Sequence, residues 1–260
     1  MKKHILIIGG TRGVGRAFTK SIICDGNIVS VIGRRPPLDI DKDLSGVNYW
    51  QVDLAEHKKL LKILSKIISR NGKLDSLVFF QRYRGDGDEW QSEIATSLTA
   101  TKNIIEYLFD KFGSKSEKSI VIVSSLASIY IAQEQQVSYH VAKAGLNHMA
   151  RFYAVSLGSI GIRVNCVSFG AVLKDESRDF YLKNKKLYNL YKNITPLGRM
   201  VDSKNVADVI SFLCSEKSSC ITGQNIIVDG GISIQSHETL ARRLTPLKKM
   251  NILRKKMRVK

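Results

Sequence analysis

The sequence predicts one α/β domain whose parallel, doubly wound sheet of seven strands lies between two layers of helices. Three observations predict this fold class. Short apolar runs of strand length alternate with segments of helical periodicity over residues 1–232. A glycine-rich turn, Gly9–Gly15, joins the first run to the first helix. Neither a repeat nor a linker interrupts the alternation before residue 231, so we expect a single three-layer domain of the Rossmann type and a basic extension over residues 233–260.

The glycine turn follows the first predicted strand, Ile5–Ile8, and reads Gly9-Gly10-Thr11-Arg12-Gly13-Val14-Gly15. Backbone N–H groups and the helix dipole at such a junction form an anion site. The GxxxGxG spacing is neither the GxGxxG fingerprint nor a phosphate loop that ends in Gly-Lys-Ser/Thr. A plain tight turn is the alternative. The position between first strand and first helix favours a dinucleotide pyrophosphate.

The second predicted strand, Ile28–Ile32, is followed by Gly33-Arg34-Arg35. A carboxylate at this place binds the ribose 2′-hydroxyl of NAD, whereas an arginine accommodates the 2′-phosphate of NADP. The carboxylate is missing here, and Arg12 of the glycine turn is expected to face the same region. A solvated basic loop is the alternative in this basic chain. We therefore favour NADP (NADPH) as the cofactor over NAD.

The third and fourth predicted strands also end in candidate ligand-binding residues. Val47–Val52 leads into Asp53-Leu54, where a carboxylate and a small apolar edge would meet the adenine. Asp53 would equally suit the cap of the amphipathic helix that follows. Leu77–Phe80 leads into a turn-rich loop with Arg82 and Arg84, on the side where open parallel sheets bind ligands.

The segment between residues 168 and 195 has no predicted element, and a loop of that length is typically a lid or disordered. It carries several lysine and tyrosine side chains. The remaining predicted elements are helix Glu89–Phe112, strand Ile120–Val123, strand Ile162–Val167, helix Ser203–Cys214 and strand Ile226–Asp229.

Tyr139 and Lys143 form a candidate acid/base pair within Ser138–Gly145. Four residues apart on a helix, the two side chains lie on the same face. A fixed cation beside a phenol favours the phenolate and so makes it useful for proton transfer. By itself the spacing also fits a half-buried aromatic residue beside a solvated lysine. Ser124-Ser125, at the end of the fifth strand, would bring a hydroxyl to the pair, and a plain turn is the alternative.

Composition favours a soluble cytoplasmic protein. Hydrophobic residues make up 43% of the chain. No apolar run approaches the ~20 residues of a membrane span, and the run after Lys3 is too short for a signal peptide. The cysteines show neither CxxC nor Cys/His ligand spacing, which predicts reduced thiols and no metal site. They are Cys24, Cys166, Cys214 and Cys220.

The tail, residues 233–260, is compositionally distinct. The net charge of the chain is +18, and no acidic residue follows Glu238. Apolar and basic residues interleave after Pro246, so an amphipathic helix there would contact an anionic surface. A solvated extension and an oligomer arm are the alternatives. Without aromatic residues or a nucleic-acid motif, sequence-specific nucleic-acid binding is not expected.

The motifs, taken in order, resemble the short-chain dehydrogenase/reductase family in its single-domain branch, and within it the 3-oxoacyl-carrier-protein reductases. The resemblance covers Lys3 to about Ile232. The motifs that carry it are Gly9-x3-Gly13-x-Gly15, Asp53-Leu54, Leu74-Asp75-x-Leu77-Val78, Ser124-Ser125, Tyr139-x3-Lys143-Ala144-Gly145, Ile162-Arg163-Val164-Asn165, Pro196-Leu197-Gly198-Arg199, Thr222-Gly223-Gln224 and Val228-Asp229-Gly230-Gly231.

The resemblance implies hydride transfer between NADPH and a carbonyl/secondary alcohol pair. Tyr139 would be the general acid in reduction and the base in oxidation. Lys143 would favour its phenolate and bind the nicotinamide ribose, Ser125 would orient the substrate oxygen, and Ser97 would replace an asparagine that holds a relay water. The implied cofactor-binding residues are Gly9, Thr11, Arg12, Gly13, Val14, Gly15, Arg34, Asp53 and Leu54, with Tyr139 and Lys143.

The chain departs from the family pattern at three further places. Phe79-Phe80-Gln81-Arg82 replaces Asn-Asn-Ala-Gly, Phe169-Gly170 replaces Pro-Gly, and Lys174 falls near a threonine that contacts the carboxamide. We expect a reductase of a small, anionic substrate that works as a homo-oligomer, a dimer or tetramer. A non-catalytic NADP-binding sensor or scaffold is the alternative, and solvated charges are the alternative to anion binding.

Overall fold

The computed structural model describes residues 2–42, 44–85, 89–113 and 117–245. The strands are β1 His4–Ile8, β2 Ile28–Gly33, β3 Val47–Gln51, β4 Ser76–Phe79, β5 Lys118–Val123, β6 Ile162–Ser168, β7 Val172–Leu173, β8 Val201–Asp202 and β9 Asn225–Ile227. The α-helices are α1 Gly13–Ile23, α2 His57–Asn71, α3 Glu89–Glu93, α4 Ala100–Leu108, α5 Val137–Gly158, α6 Asp175–Lys183, α7 Lys185–Ile194, α8 Ser203–Leu213 and α9 His237–Leu244.

The main sheet has seven strands in the order β3-β2-β1-β4-β5-β6-β9, and all its neighbouring strands run parallel. The predicted fold class is confirmed, and each predicted strand is present with its ends shifted by no more than two residues. Strand order reverses between β1 and β4, so a crevice opens beyond their carboxyl ends. The glycine turn and the loop after β4 both lie there.

Alternating residues of β1 show how the sheet divides the core. Leu6 and Ile8 pack into a cluster that includes side chains of α2, α4 and α5. Ile5 and Ile7 pack into a second cluster with side chains of α1 and α8. Because both faces of the sheet are covered, its strands read as continuous apolar runs rather than as alternating patterns.

The predicted helix Glu89–Phe112 is interrupted. A π-helical turn, Ile94–Thr99, separates α3 from α4, and a 3₁₀ turn, Phe109–Lys111, ends the segment. Two side-chain bonds accompany the wide turn: Ser97 Oγ donates to the Glu93 carboxylate, and Thr101 Oγ1 donates to the Ser97 carbonyl at 2.6 Å. Such turns carry an extra residue and often occur at functional sites.

The segment from 168 to 195 is not a long loop, and that prediction is wrong. It forms β7, α6 and α7. At the start of α6, Ser177 Oγ accepts from the Lys174 backbone N–H at 3.1 Å. Tyr181 of α6 packs edge-on against Tyr191 of α7, with ring centroids 6.0 Å apart. α6 escaped prediction because it lacks a clear apolar stripe, whereas α7 does carry one that sequence reasoning overlooked, formed by Leu187, Leu190, Tyr191 and Ile194.

The first part of the tail packs on the domain. Arg243 donates to the carbonyls of Asn193 and Ile194 at 3.2 Å each, and Gln235 Nε2 donates to the Ile194 carbonyl at 2.7 Å. The division of the chain at residue 232 stays a prediction, and the amphipathic helix expected after Pro246 lies outside the described residues. No helix in the described part is both long and apolar enough to cross a membrane.

Candidate active site

The glycine turn is held by close contacts that exclude side chains. Gly9 has φ +86°, a conformation that favours glycine, and its N–H donates to the Ile32 carbonyl at 2.7 Å. A Cβ on Gly9 would lie 2.9 Å from the Gln81 nitrogen. A Cβ on Gly15 would lie 3.1 Å from Phe80 Cγ. The turn therefore packs directly on the loop after β4.

A cavity of about 650 Å³ extends from this turn to the carboxyl end of β5. Every residue predicted to bind the cofactor lines it: Gly9, Thr11, Arg12, Gly13, Val14, Gly15, Arg34, Asp53, Leu54, Tyr139 and Lys143. The fold thus brings together side chains and N–H groups from four separate stretches of sequence. The volume lies within the usual range of small-molecule sites.

Cations dominate the charged lining of the cavity. They are Arg12, Arg34, Arg35, Arg82, Arg84, Lys143 and Lys174, against the carboxylates of Asp53 and Glu176. Arg12 donates to the carbonyls of Thr11 and Pro36 at 2.7 and 3.0 Å. Arg34 bonds to the Arg84 carbonyl. This excess of positive charge suits a ligand with several phosphate charges.

Asp53 holds a turn rather than capping a helix. Its Oδ1 accepts from the Ala55 N–H at 3.0 Å, whereas α2 begins at His57 after Glu56. The alternative interpretation of Asp53 as the helix cap is therefore wrong. The carboxylate remains on the cavity wall, where the predicted contact with adenine would require it.

Lys143 and Tyr139 lie side by side on α5. Lys143 is 3% exposed, and its Nζ donates to the Val123 carbonyl at 3.1 Å. That Nζ lies 5.6 Å from the centroid of the Tyr139 ring, and the Arg82 guanidinium carbon lies 4.4 Å from the same centroid. Burial lowers the pKa of Lys143 to about 8, opposed by the charge of Glu93 and assisted by that of Arg82.

Ser125 and Ser97 are placed differently from Tyr139. Ser125 Oγ accepts from the Ala127 N–H at 3.1 Å and caps a short 3₁₀ turn, and the cavity lining includes Ser124 instead. Ser124 Oγ donates to the Lys143 carbonyl at 3.0 Å. Ser97 is completely buried in the π-helical turn. The catalytic roles of Ser125 and Ser97 stay predictions.

A family model described as enoyl-(acyl carrier protein) reductase matches residues 9–233. The chain belongs to the short-chain dehydrogenase/reductase family. As a member, it is an NAD(P)-dependent oxidoreductase that acts on CH–OH and C=O groups. The comparisons give no support to the non-catalytic alternative.

Curated relatives of this short-chain dehydrogenase/reductase include two enzymes named 3-oxoacyl-[acyl-carrier-protein] reductase FabG. The Chlamydia pneumoniae enzyme is 28% identical over 244 residues, which covers 89% of this chain and 97% of the relative. The Thermotoga maritima enzyme is 28% identical over 253 residues, covering 89% and 98%. The resemblance to 3-oxoacyl-carrier-protein reductases is thereby confirmed.

Solved structures share the fold. Thermoplasma acidophilum aldohexose dehydrogenase in ligand-free form superposes with a TM-score of 0.80 at 20% identity, covering 96% of this chain and 98% of that chain. ElxO with NADP bound superposes with a TM-score of 0.79 at 21% identity, covering 90% of this chain and all of that chain.

The family's small residues after its fourth strand are replaced by bulky ones in this dehydrogenase/reductase. Phe79 is buried in the core, so it does not reshape the site. Phe80 does reach the cavity, where its ring lies 5.6 Å from that of Phe18. Phe169 and Lys174 also line the cavity. The glycine turn packs against Phe80, and the cavity remains open beside them despite the bulky ring.

Sequence reasoning missed two carboxylates. Glu176 Oε1 accepts from the Gly13 N–H at 2.7 Å, at the turn predicted to bind phosphate. Glu93 is 4% exposed and bonds to Ser97. Glu176 lies in a segment without a predicted element, and Glu93 was assigned only to a helix. For Glu93 the sequence did offer a signal, because Glu93 lies one helical turn before Ser97 and on the same face of the predicted helix.

Proposed function

We propose that the protein reduces a carbonyl group to a secondary alcohol with NADPH, and that Tyr139 donates the proton. The observation that carries the proposal is the single cavity that holds the glycine turn, Tyr139 and Lys143 together. The site fits a dinucleotide because the glycine turn at the start of α1 lines the cavity together with Arg12 and Arg34, whose charges suit its phosphate groups. NADPH bound there would supply the hydride.

The residues of the chain supply position and the proton. Tyr139 O–H donates its proton to the substrate oxygen as the alcohol forms. The ammonium of Lys143, anchored on the Val123 carbonyl, favours the phenolate that remains. Ser125 orients the substrate oxygen with its O–H, which the bond accepted from the Ala127 N–H leaves free to donate, and Ser97 supports the relay behind Lys143.

NADPH is proposed over NADH because Arg12 and Arg34 line the cavity beyond β2 and no acidic residue follows that strand directly. A ribose 2′-phosphate requires such cations, whereas a 2′-hydroxyl is bound by a carboxylate. The NADP named with ElxO supports this choice. Titration of the protein with each cofactor, followed by nicotinamide fluorescence, tests it, and equal affinities would contradict it.

We propose a 3-oxoacyl thioester as the substrate class, in line with the names of the FabG relatives. A second cavity of about 290 Å³ adjoins the first at Tyr139, and Arg82 and Arg84 line both cavities. Three glutamates also line the second, Glu89, Glu93 and Glu134. These arginines suit the phosphate groups of an acyl carrier. The test is NADPH oxidation with acetoacetyl-CoA beside uncharged ketones. Turnover of the ketones alone would exclude the thioester, and turnover of neither would contradict the reductase.

A homo-oligomer, either a dimer or a tetramer, is proposed on an exposed apolar stripe of α5. Val141, Phe152 and Val155 lie along one face of the helix and are exposed. Light scattering after size exclusion tests it: Phe152→Glu with Val155→Glu should release monomers, whereas Leu197→Glu, at another exposed site, should not. An unchanged mass would contradict this interface.

We propose a cytoplasmic location because all four cysteines are free thiols in the structure. Cell fractionation tests this location. The basic tail is proposed as a solvated extension, with contact to an anionic surface as the alternative. Liposome binding that is lost on truncation after Ser236 would favour the alternative.

A further inference from the structure

Arg82, in the loop after β4, lies against the proposed proton donor. Its guanidinium carbon is 4.4 Å from the centroid of the Tyr139 ring, and one of its terminal nitrogens donates to Gln135 Oε1 at 2.6 Å. A guanidinium that stacks on an aromatic face and is bonded at one edge is held in place from two sides. The proposed proton transfer gives this side chain no task.

The guanidinium of Arg82 keeps donors for a ligand. Of its several N–H groups, the bond to Gln135 uses one. Among the described residues, no ion pair includes Arg82. An arginine that is held in place but not neutralised is suited to bind an oxygen atom of a ligand.

Arg82 and Tyr139 lie where the two cavities meet, because each of them lines both cavities. A ketone oxygen held at the Tyr139 hydroxyl would therefore lie beside the guanidinium. A second oxygen close to that ketone in the same molecule would be within reach of the arginine.

The second cavity offers polar groups to the substrate. Among the described residues that line it, none has an aliphatic side chain, and the aromatic rings are those of Tyr83 and Tyr139. A hydrocarbon chain gains little from such walls, whereas an oxygen atom finds donors. The exposed Glu89 and Glu134 line the same cavity and would repel a carboxylate, so a neutral oxygen fits the space better.

A 3-oxoacyl thioester carries such a neutral oxygen near the reacting group. Its thioester carbonyl is separated from the ketone by one carbon, so a single substrate can meet Tyr139 and Arg82 at the same time. The phosphate groups of an acyl carrier lie at the far end of the pantetheine arm, and the guanidinium beside Tyr139 is not placed for them. Arg84, which also lines both cavities, remains for those phosphates.

We propose that Arg82 determines substrate specificity by donating to the thioester carbonyl oxygen of a 3-oxoacyl substrate while the ketone oxygen lies at Tyr139. The inference rests on the proposed reductase function and assigns the group that recognises its substrate class. The bond fixes the orientation of the ketone relative to Tyr139, so a ketone without the second oxygen binds less well and reacts more slowly. Arg82 thereby selects β-dicarbonyl compounds over simple ketones.

The test compares two ketones of equal chain length, ethyl acetoacetate and heptan-2-one. Only the first has the second carbonyl, and neither carries a phosphate group. In Arg82→Gln, the ratio of kcat/KM for ethyl acetoacetate to kcat/KM for heptan-2-one should fall about 10-fold, as loss of one charged hydrogen bond predicts. A merely structural change would lower kcat/KM for both ketones and leave the ratio unchanged, which would overturn the inference.

Two further variants sharpen this comparison. Arg178→Gln removes an exposed cation of α6 that is outside the described lining of both cavities, so the ratio should stay at the parent value. A fall as large as that in Arg82→Gln would show an effect of net charge alone and overturn the inference. Gln135→Ala removes the side chain that holds the guanidinium, and the ratio should fall by a smaller factor, about 2–5-fold.

A second measurement does not depend on turnover. Calorimetric titration of the protein saturated with NADP compares 3-hydroxybutyryl-CoA, which keeps the thioester carbonyl, with CoA, which lacks it. In Arg82→Gln, the dissociation constant of 3-hydroxybutyryl-CoA should rise about 10-fold, and that of CoA should not change. Equal rises for both would assign Arg82 to a phosphate group and overturn the inference.

The behaviour of the parent protein separates this inference from the proposed function. A parent protein that oxidises no NADPH with either ketone or with acetoacetyl-CoA would contradict the proposed function. The calorimetric result would still decide the role of Arg82, and a parent protein that binds 3-hydroxybutyryl-CoA no better than CoA would overturn it.

Discussion

The two ends of the large cavity are built from different chemical groups. At the glycine turn, the packing of backbone against backbone sets the geometry, because Gly9 and Gly15 leave no room for a Cβ beside residues 80–81. At the other end, Tyr139 and Lys143 depend on neighbouring charges in a buried setting. Substitutions at the first end should therefore damage folding or binding, whereas substitutions at the second should damage chemistry and leave the fold intact.

The largest expected effect is at the catalytic end. Tyr139→Phe removes the proton donor, and kcat for acetoacetyl-CoA should fall by ~10²–10⁴-fold. Stopped-flow or steady-state assays of NADPH oxidation measure this fall. The unfolding midpoint and the NADPH dissociation constant should stay near the parent values. Tyr130→Phe, whose hydroxyl bonds to the Ser233 carbonyl, is the control. Full activity of the Tyr139 variant would exclude Tyr139 as the acid.

The next effect is at the glycine turn and concerns stability. Gly9→Ala combines a left-handed φ with a contact 2.9 Å from the Gln81 nitrogen, so the free energy of unfolding should fall by about 2–4 kcal/mol. Gly26→Ala has a similar φ of +73° but open space around its Cβ, and should cost about 1 kcal/mol. Urea denaturation measures both. Equal losses would show that strain, not the close approach, requires glycine at position 9.

A smaller effect is expected on cofactor choice. Arg34→Ala removes a cation near the proposed 2′-phosphate, and the NADPH dissociation constant should rise about 10-fold, as loss of one charged hydrogen bond predicts. The NADH constant should not change, because NADH lacks that phosphate. Arg70→Ala, at the exposed end of α2, is the matched control. An equal rise of the NADPH and NADH dissociation constants would show that Arg34 does not contact the 2′-phosphate.

The smallest effect concerns Glu176 at the same turn. Burial raises the pKa of Glu176, but the bond from the Gly13 N–H and the charges of Arg16 and Lys174 lower it by more. The net pKa is therefore below its ordinary value, and the group is ionised at neutral pH. Since the negative charge at the Gly13 N–H repels a phosphate there, Glu176→Gln, which removes the charge, should tighten NADPH binding by about 2–5-fold. Fluorescence titration compares it with Asp179→Asn on the same helix. Weaker binding would show that Glu176 assists the cofactor.

The sequence predicted the main residues at both ends of the cavity, and it missed one carboxylate near each. Gly9, Gly13 and Gly15 were identified because a fixed spacing between a strand and a helix reflects local backbone geometry. The Tyr139/Lys143 pair was identified in the same way, from helical spacing. All of them line one cavity in the structure.

The missed features depend on contacts between distant segments. Glu176 meets Gly13 across 163 residues, and the packing of Tyr181 on Tyr191 gives α6 and α7 their shared surface. Local periodicity carries no information on such pairs. Glu93 was missed because its burial follows from the π-helical turn, which a 3.6-residue pattern does not predict.

The π-helical turn also limits which length changes the chain can tolerate. It spans Ile94–Thr99 and holds one residue more than regular α-helix would need. Deleting a single residue there would restore a continuous α-helix with little rotation of α3 relative to α4, because the wide turn absorbs its extra residue. A deletion within regular α-helix would instead rotate one side by about 100°. The segment that carries Ser97 and the cavity-lining Thr96 thus tolerates the loss of a residue better within the π-helical turn than within α4.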